Sequence, residues 1–473
     1  MKYIKLRILF LLNILICTSC NTSKSKEKQV HKEEQKIHKD SSEPNIVLFF
    51  VDDLGWSDLG FRNSTFETPN IDQLAKNSLS FEQAYIASPT CSPSRATLIT
   101  GQHPARIKMV RHIPAGKKNG FDQFHRTNLE YHTLEKDPAQ FPSRNWLPLE
   151  NVSYAEALSD LGYYNLFVGK WHLGHEKYHP IHQGFHKQIG TSNYGHPKSY
   201  YPPYFKLDTL YQDKNQIYLT DKLTNDAVSF IKDYNQENPF MLTFSYYSVH
   251  TPHEGRKDWV THYKVKGLED RYANYAAMVS ATDESVGKVL EAIKDKGIEK
   301  ETIVVFISDQ GGFFENKPFR GGKMSETLFE GGARVPFFVH WPDVTKPNSI
   351  NNSVVQATDL FPTLVEIAGG DLTQFEDLDG VSLLSTIKNN DDLERGKSVF
   401  GYRAYEDLYV SVRNGDWKLL AFRSGKTELY DIAKDKEEQN EVSNQNPEKV
   451  KELVDELKEW EKEMQVASYS GVQ

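Results

Sequence analysis

Short, continuous apolar runs recur through the middle of the chain, and polar residues follow most of them. The runs span residues 45–51, 165–168, 240–246, 303–308 and 335–340. Apolar runs of this length, without alternation, predict strands that are buried on both faces of a sheet. Segments with helical spacing lie between them, and Ser153 with Glu156 forms a capping-box pattern before one of these segments. The alternation predicts an α/β fold with a large, mostly parallel sheet sandwiched by helices.

The last part of the chain has a different pattern. Residues 398–422 alternate between apolar and polar positions, and Asn414-Gly415 is typical of a two-residue hairpin turn. Pro447 opens a segment whose apolar residues share one helical face. We therefore expect a main domain over residues 44–394 and a small C-terminal subdomain, an antiparallel sheet with a helix, over 395–473.

The N-terminus predicts export. Residues 1–19 combine three basic residues with a short apolar stretch, which is typical of a signal peptide. Small residues directly before Cys20 resemble a lipoprotein signal and predict lipid attachment at Cys20, with ordinary signal-peptide cleavage as the alternative. Residues 20–43 mix both charge signs without periodicity and predict a flexible tether. We expect a lipid-anchored protein of the bacterial envelope, on the outer membrane and facing the periplasm or the surface.

Composition excludes several classes of protein. The chain has 473 residues, 38% of them hydrophobic, which is too apolar for a disordered protein. Its net charge is −9 and it has no long basic block, so nucleic acid is not an expected partner. No internal apolar stretch is long enough to span a bilayer, so membrane contact is expected only through the lipid. The cysteines are Cys17, Cys20 and Cys91, and processing would leave Cys91 as the single free thiol.

Cys91 begins the segment Cys-Ser-Pro-Ser-Arg-Ala-Thr-Leu-Ile-Thr-Gly over residues 91–101. This segment resembles the signature of type I sulfatases, in the alkaline-phosphatase-like superfamily. The resemblance implies that a maturation enzyme oxidises Cys91 to formylglycine (3-oxoalanine). One hydroxyl of the hydrated aldehyde would attack sulfur, and the other would then allow sulfate to leave. Arg95, a permanent cation four residues later, is predicted to act beside this nucleophile.

Oxygen ligands for a metal ion follow two of the predicted strands. Asp52 and Asp53 end the first strand, and Asp309 and Gln310 end the fourth. An all-oxygen set suits a hard cation, Ca²⁺ or Mg²⁺, and disfavours zinc. The family resemblance implies one Ca²⁺ ion, bound by these four residues and by the modified residue 91. Gln310 stands where the family commonly has Asn.

Three further segments match sulfatase blocks. By resemblance, Lys170 in Gly-Lys-Trp-His-Leu-Gly binds the sulfate, and His172 in the same block is the base for sulfate release. His250 matches the general acid near the leaving oxygen, and Lys323 matches a second sulfate-binding lysine. Imidazoles can serve as both acid and base near neutral pH.

These residues predict a sulfuric ester hydrolase that acts on sulfated polysaccharide or oligosaccharide, with sulfated carbohydrate and the maturation enzyme as partners. A phosphonate or phosphodiester hydrolase of the same superfamily is one alternative, and a non-catalytic glycan-binding lipoprotein is another. The aromatic segment 194–205 could form a carbohydrate platform or a packed loop. Three basic residues could meet acidic sugars or solvent: Arg111, His112 and Arg320. Three histidines are expected to have no catalytic role: His175, His182 and His253.

Overall fold

The computed structural model describes residues 43–466, except 115, 117–118, 123–124, 206–210 and 212–214. The predicted signal peptide, nearly all of the tether and the lipidation site at Cys20 lie outside the described residues. None of the described helices is long and apolar enough to cross a membrane.

Strands and helices alternate through the main domain. The strands are β1 (Asn45–Val51), β2 (Leu79–Tyr85), β3 (Tyr131–His132), β4 (Ser143–Arg144), β5 (Tyr164–Gly169), β6 (Lys187–Ile189), β7 (Phe240–Ser245), β8 (Thr302–Ser308), β9 (Phe337–His340) and β10 (Ser349–Gln356). The helices are α1 (Pro69–Lys76), α2 (Cys91–Thr100), α3 (Pro104–Ile107), α4 (Tyr154–Asp160), α5 (Leu219–Asp233), α6 (Lys257–Val265), α7 (Asp270–Asp295), α8 (Glu330–Ala333), α9 (Leu360–Ile367) and α10 (Leu384–Asn389). The capping box of Ser153 and Glu156 forms at the start of α4.

The main sheet has eight strands in the order β10-β2-β9-β8-β1-β7-β5-β6. Every pair is parallel except those of β9, which runs antiparallel to β2 and β8. The prediction of a mostly parallel sheet is therefore confirmed. Each of the five apolar runs forms a strand, although the last begins at Phe337 rather than at residue 335.

The central strand β1 is buried on both faces because each face meets a separate apolar core. Its side chains at positions 46, 48 and 50 pack with residues of α2, α4 and α9. Those at 47, 49 and 51 pack with residues of α1, α5 and α7. Helices thus cover both faces of the sheet. The polar residues that follow the parallel strands lie together at the carboxyl ends of those strands.

The C-terminal subdomain contains a four-stranded antiparallel sheet and one long helix, as predicted. The strands are β11 (Val399–Tyr402), β12 (Leu408–Asn414), β13 (Trp417–Phe422) and β14 (Thr427–Asp431), followed by α11 (Pro447–Met464). Leu453, Leu457 and Trp460 on one face of α11 join the apolar core under this sheet.

Candidate active site

The predicted metal ligands meet at the carboxyl ends of β1 and β8. These strands are parallel neighbours in which Val51 pairs with Ser308, so the residues that follow them lie side by side. The four residues Asp52, Asp53, Asp309 and Gln310 are at most 2% exposed. The backbone N–H of Asp53 donates to Oδ1 of Asp309 over 3.0 Å, and Gln310 Nε2 donates to Oδ1 of Asp53 over 2.5 Å.

Cys91 lies at the start of α2 and points at these carboxylates. Its Sγ is 3.9 Å from Oδ1 of Asp52, and Gln310 Nε2 lies 3.3 Å from the same sulfur. The potential ligand atoms of Asp52, Cys91 and Asp309 lie within 4.8 Å of one another. Residues that are 39 and 218 positions from Cys91 in the sequence therefore converge on one buried point.

Arg95 lies one helical turn after Cys91 and faces the carboxylates. Its guanidinium donates to Oδ2 of Asp309 over 3.1 Å, to the Lys170 carbonyl over 2.9 Å and to Ser245 Oγ over 2.6 Å. The prediction grouped Arg95 with the catalytic residues. Its side chain is only 2% exposed and does not line the cavity that contains Cys91, and its catalytic role stays a prediction.

Lys170 and Lys323 bring positive charge to the same carboxylates. The Lys170 ammonium group contacts Asp52, and that of Lys323 contacts Asp53. Burial opposes ionisation of Asp52, but Lys170 and the neighbouring cations outweigh it and hold its pKa well below the ordinary value. Burial and the charge of Asp52 raise the pKa of Asp309 well above its usual range. A bound cation would relieve this crowding of carboxylates.

The two predicted catalytic histidines differ in their surroundings. His172 is buried, and its backbone φ is +56°. Its Nε2 lies 3.3 Å from the Ile113 carbonyl oxygen. Burial, then the positive charge of Lys170, lowers the pKa of His172 well below its usual value, so the imidazole is neutral. A neutral imidazole can accept a proton, as a base must.

His250 is held through one ring nitrogen, which leaves the other facing the site. Its Nδ1 lies 2.8 Å from the Thr251 carbonyl oxygen, so the proton sits on Nδ1 in the neutral ring. Its Nε2 is 3.9 Å from Oδ2 of Asp53, and its ring stacks on His196 with centroids 5.3 Å apart. Nε2 is therefore the atom that can exchange a proton with a bound molecule.

A cavity of about 410 Å³ opens above Cys91. Five of the predicted site residues line it: Cys91, His172, His250, Gln310 and Lys323. A larger cavity of about 800 Å³ lies beside α11, but it contains none of the predicted site residues. The chemistry of the lining, rather than the volume, therefore identifies the active site.

The structure separates the residues for which the sequence left a sugar-binding role and another role open. Arg111 is buried and ion-paired with Asp137 over 3.0 Å, and Arg320 pairs with Glu326 outside the cavity. Within segment 194–205, Tyr194 lines the cavity, but the side chains of Tyr200, Tyr204 and Phe205 pack in the core. His112 does line the cavity, whereas none of His175, His182 and His253 does.

Sequence reasoning missed several lining residues. They are Pro89, Thr90, Ile113, His125, Met324, Arg403 and Tyr405. Arg403 and Tyr405 come from the C-terminal subdomain, more than 300 positions after Cys91. No local pattern marks them, because only the packing of the subdomain against the main domain brings them to the cavity.

Comparison with known proteins agrees with this geometry. The family model for sulfatases matches residues 44–370, and the model for the C-terminal part of N-sulphoglucosamine sulphohydrolase matches residues 325–467. The chain therefore belongs to the sulfatase family and is a sulfuric ester hydrolase with the alkaline-phosphatase-like fold.

Individual relatives extend over most of the chain. N-acetylgalactosamine-6-sulfatase of Mus musculus is 31% identical over 400 residues, which cover 79% of this chain and 71% of the mouse protein. A sulfatase of Formosa agariphila is 30% identical over 83% of this chain and 80% of its own length. The crystal structure of Ps i-CgsB superposes with a TM-score of 0.77 at 30% identity, covering 88% of this chain and 92% of that one.

Proposed function

We propose that this sulfatase removes sulfate from sulfated polysaccharides or oligosaccharides with a formylglycine nucleophile made from Cys91. The observation that supports this most directly is the position of Cys91. Its sulfur lines the cavity and lies within 4.8 Å of potential metal ligands on both Asp52 and Asp309. Sulfatases generally use formylglycine and a divalent metal ion.

The residues around Cys91 fit one divalent cation, which we propose is Ca²⁺. Asp52, Asp53 and Asp309 offer carboxylate oxygens, and a half-turn of the Gln310 amide would present its oxygen instead of nitrogen. Hard oxygen donors favour Ca²⁺ or Mg²⁺, and Ca²⁺ tolerates the irregular geometry of adjacent residues better than Mg²⁺ does. When bound, the ion would offset carboxylate charge and polarise a sulfate oxygen.

The remaining side chains have separate roles in this proposal. Formylglycine, once formed and hydrated, supplies one hydroxyl that attacks sulfur and a second that allows sulfate to leave. Lys170 and Lys323 counter the negative charge of the sulfate oxygens. His250 acts as the acid in the form that is protonated on both ring nitrogens, and it gives the Nε2 proton to the leaving sugar oxygen as the sulfur–oxygen bond breaks. Neutral His172 accepts the proton that accompanies sulfate release.

The proposed substrate class rests on the relatives. Ps i-CgsB has also been crystallised in complex with k-i-k-neocarrahexaose, and the mouse relative is named for N-acetylgalactosamine 6-sulfate. The first name is that of an oligosaccharide, and the second refers to a sulfate ester of an amino sugar. A cavity of about 410 Å³ is within the ordinary size range for a small-ligand pocket, and its histidine and tyrosine side chains can hydrogen-bond sugar hydroxyls.

We further propose that the enzyme acts in the bacterial envelope. The sequence features in support are the signal peptide over residues 1–19 and the lipidation pattern at Cys20. A formylglycine-generating maturation enzyme would then be a required partner, and the lipid at Cys20 the only membrane contact. Labelling of cells with radioactive palmitate tests this: loss of label in Cys20→Ser supports the anchor, and an unlabelled wild type contradicts it.

Cys91→Ser tests the nucleophile. We expect the variant to lose sulfate release from 4-nitrophenyl sulfate and from sulfated oligosaccharides, because a serine would remain as a stable sulfate ester. Mass spectrometry of tryptic peptide 77–95 from wild-type protein should show the aldehyde in place of the thiol. Thr97→Ser, in the same helix but away from the cavity, is the control. Full activity of Cys91→Ser would refute the proposal.

A further inference from the structure

The C-terminal subdomain supplies a permanent positive charge to the active-site cavity. Arg403 follows β11 and lines the cavity together with Cys91 and His250. A guanidinium stays protonated in proteins and presents its donors in a fixed, planar fork. None of the proposed catalytic steps requires this residue.

The Arg403 side chain is oriented by its neighbours. Its Cζ lies 4.8 Å from the centre of the Tyr405 ring, and Nη1 donates to Thr327 Oγ1. Nη2 lies 3.6 Å from a carboxylate oxygen of Glu406, whose side chain is 63% exposed. These contacts fix the plane of the guanidinium but use only part of its five N–H donors.

Arg403 has the least compensated charge among the cations near the nucleophile. Lys170, Lys323 and Arg95 each contact a fully buried carboxylate. Among the described residues, Arg403 has only the exposed Glu406 as an ion-pair partner, and an exposed ion pair at this distance is weak. Its charge is therefore available to an anion inside the cavity.

The histidines on this wall do not supply an equivalent charge. Burial lowers the pKa of His112 to about 4 and lowers the pKa of His196 below its ordinary value. Both rings are neutral at pH 7 and offer hydrogen bonds rather than charge. A second anionic group of a substrate would therefore find its strongest partner in Arg403.

We propose that Arg403 binds a second anionic group, a sulfate or a carboxylate, on the substrate glycan. The group lies on the reacting sugar or on its neighbour. Arg403 donates two parallel N–H hydrogen bonds to its oxygen atoms. The enzyme consequently prefers glycans with two anionic groups near the scissile sulfate. This inference rests on the proposed function, because it assumes that the reacting sulfate lies beside residue 91.

Binding measurements in a Cys91→Ala background separate this inference from catalysis. The probes are matched pairs: galactose 6-sulfate against the 4,6-disulfate, N-acetylgalactosamine 6-sulfate against the 4,6-disulfate, and glucosamine 6-sulfate against the N,6-disulfate. We expect at least one disulfated sugar to bind about 10- to 100-fold more tightly than its partner, with Arg403→Gln removing that difference. A 6-sulfated disaccharide with and without a uronic acid distinguishes a carboxylate from a second sulfate.

Kinetics in the active enzyme give the second test. Arg403→Gln should raise the KM of a disulfated substrate more than that of 4-nitrophenyl sulfate, and Arg403→Lys should recover only part of the loss. Lys434→Gln removes an exposed charge from the same subdomain and should leave both KM values unchanged. Thr327→Val removes the positioning contact but keeps the charge, so it should have a smaller effect than Arg403→Gln.

Three results would overturn the inference. One is that no disulfated sugar or uronate-containing disaccharide binds the Cys91→Ala protein more tightly than its partner. Another is that Arg403→Gln weakens both members of every pair equally. The third is that Thr327→Val reproduces the full effect of Arg403→Gln, which would mean that Arg403 only supports the loop. If the wild type has no sulfatase activity but the binding difference remains, the proposed reaction fails, whereas the anion-binding role of Arg403 is kept.

Discussion

At the residue scale, the site depends on how closely the backbone approaches His172. Gly195 lies against the imidazole, and a Cβ added there would be 2.6 Å from Cε1 and 3.0 Å from Nε2 of His172. The backbone of His172 also adopts an uncommon left-handed conformation, with φ at +56°. The sequence marks His172 by its motif, but it gives no reason for a glycine at 195.

Gly195→Ala should displace His172 without unfolding the protein. The added methyl overlaps the ring of a side chain rather than backbone atoms, so the ring has to move. We expect kcat for 4-nitrophenyl sulfate to fall by up to about 100-fold, because small misplacements of a catalytic group have effects of this size. The temperature of unfolding should change little. An unchanged kcat would show that His172 tolerates the shift or has no catalytic role.

At the element scale, single side chains join helices that are distant in sequence. Asp283 in α7 accepts hydrogen bonds from the Ile71 backbone N–H and from Asn70 Nδ2, each over 2.7 Å, and so fixes the start of α1. Similarly, Leu457 on α11 is fully buried against the C-terminal sheet. The amphipathic pattern predicted α11. The sequence of α7 gave no indication that Asp283 would accept hydrogen bonds from α1.

Asp283 should make the free energy of unfolding depend on pH between about pH 4 and 7. Burial raises its pKa to about 6, above the ordinary value of 3.8, so the folded protein binds this proton more tightly than the unfolded chain does. The stabilisation that protonated Asp283 gives to the folded state is therefore complete below pH 4 and is lost as the pH rises through 6. Between pH 4 and 7, the free energy of unfolding of the wild type, measured in urea, should fall by up to about 2–3 kcal/mol relative to that of Asp283→Asn. A parallel pH dependence of the two proteins would contradict this.

Leu457→Ala should weaken the docking of α11. Removing a fully buried leucine side chain leaves a cavity and costs about 2–5 kcal/mol. Lys458→Ala, at the adjacent position and 56% exposed, is the matched control and should change stability by less than about 0.5 kcal/mol. The comparison uses urea unfolding at pH 7. Equal stability of the two variants would mean that α11 adds little to the core.

At the scale of the whole molecule, a buried ion cluster joins the C-terminal sheet to the main domain. The ammonium group of Lys418 on β13 lies 2.8 Å from carboxylate oxygens of both Glu330 and Glu438. All three side chains are at most 2% exposed. The same packing brings Arg403 and Tyr405 to the cavity, so the integrity of this interface affects the shape of the active site.

Lys418→Met should destabilise the protein and impair catalysis together. Removing the cation leaves Glu438 without its ion-pair partner, whereas Glu330 keeps Arg334, and a buried carboxylate without a partner costs about 3–5 kcal/mol. Lys426→Met, on an exposed position of the same subdomain, should have little effect. Adding Glu438→Gln to Lys418→Met should recover part of the stability in thermal unfolding, because it removes the carboxylate that has lost its partner. Wild-type stability of Lys418→Met alone would show that the cluster does not hold the interface.

The sequence by itself determined five strands of the main sheet and the family, and it singled out Cys91 as the candidate nucleophile. Continuous apolar runs predict strands because strands covered on both faces have no polar side, and the five predicted runs all form strands. The sheet strands β2, β6 and β10 were not predicted, because their residues are more polar and lie nearer the sheet edges. The motif at Cys91 carries its information locally, so it could be recognised without a structure.

Only the tertiary structure decided which distant residues share the cavity. The parallel pairing of β1 with β8 places Asp52 beside Asp309, and the docking of the C-terminal subdomain brings Arg403 to the same cavity. It also removed Arg111 from the candidates by burying it against Asp137. The physical reason is that burial, pairing and charge compensation depend on neighbours in space, and hundreds of residues separate many of these neighbours along the chain.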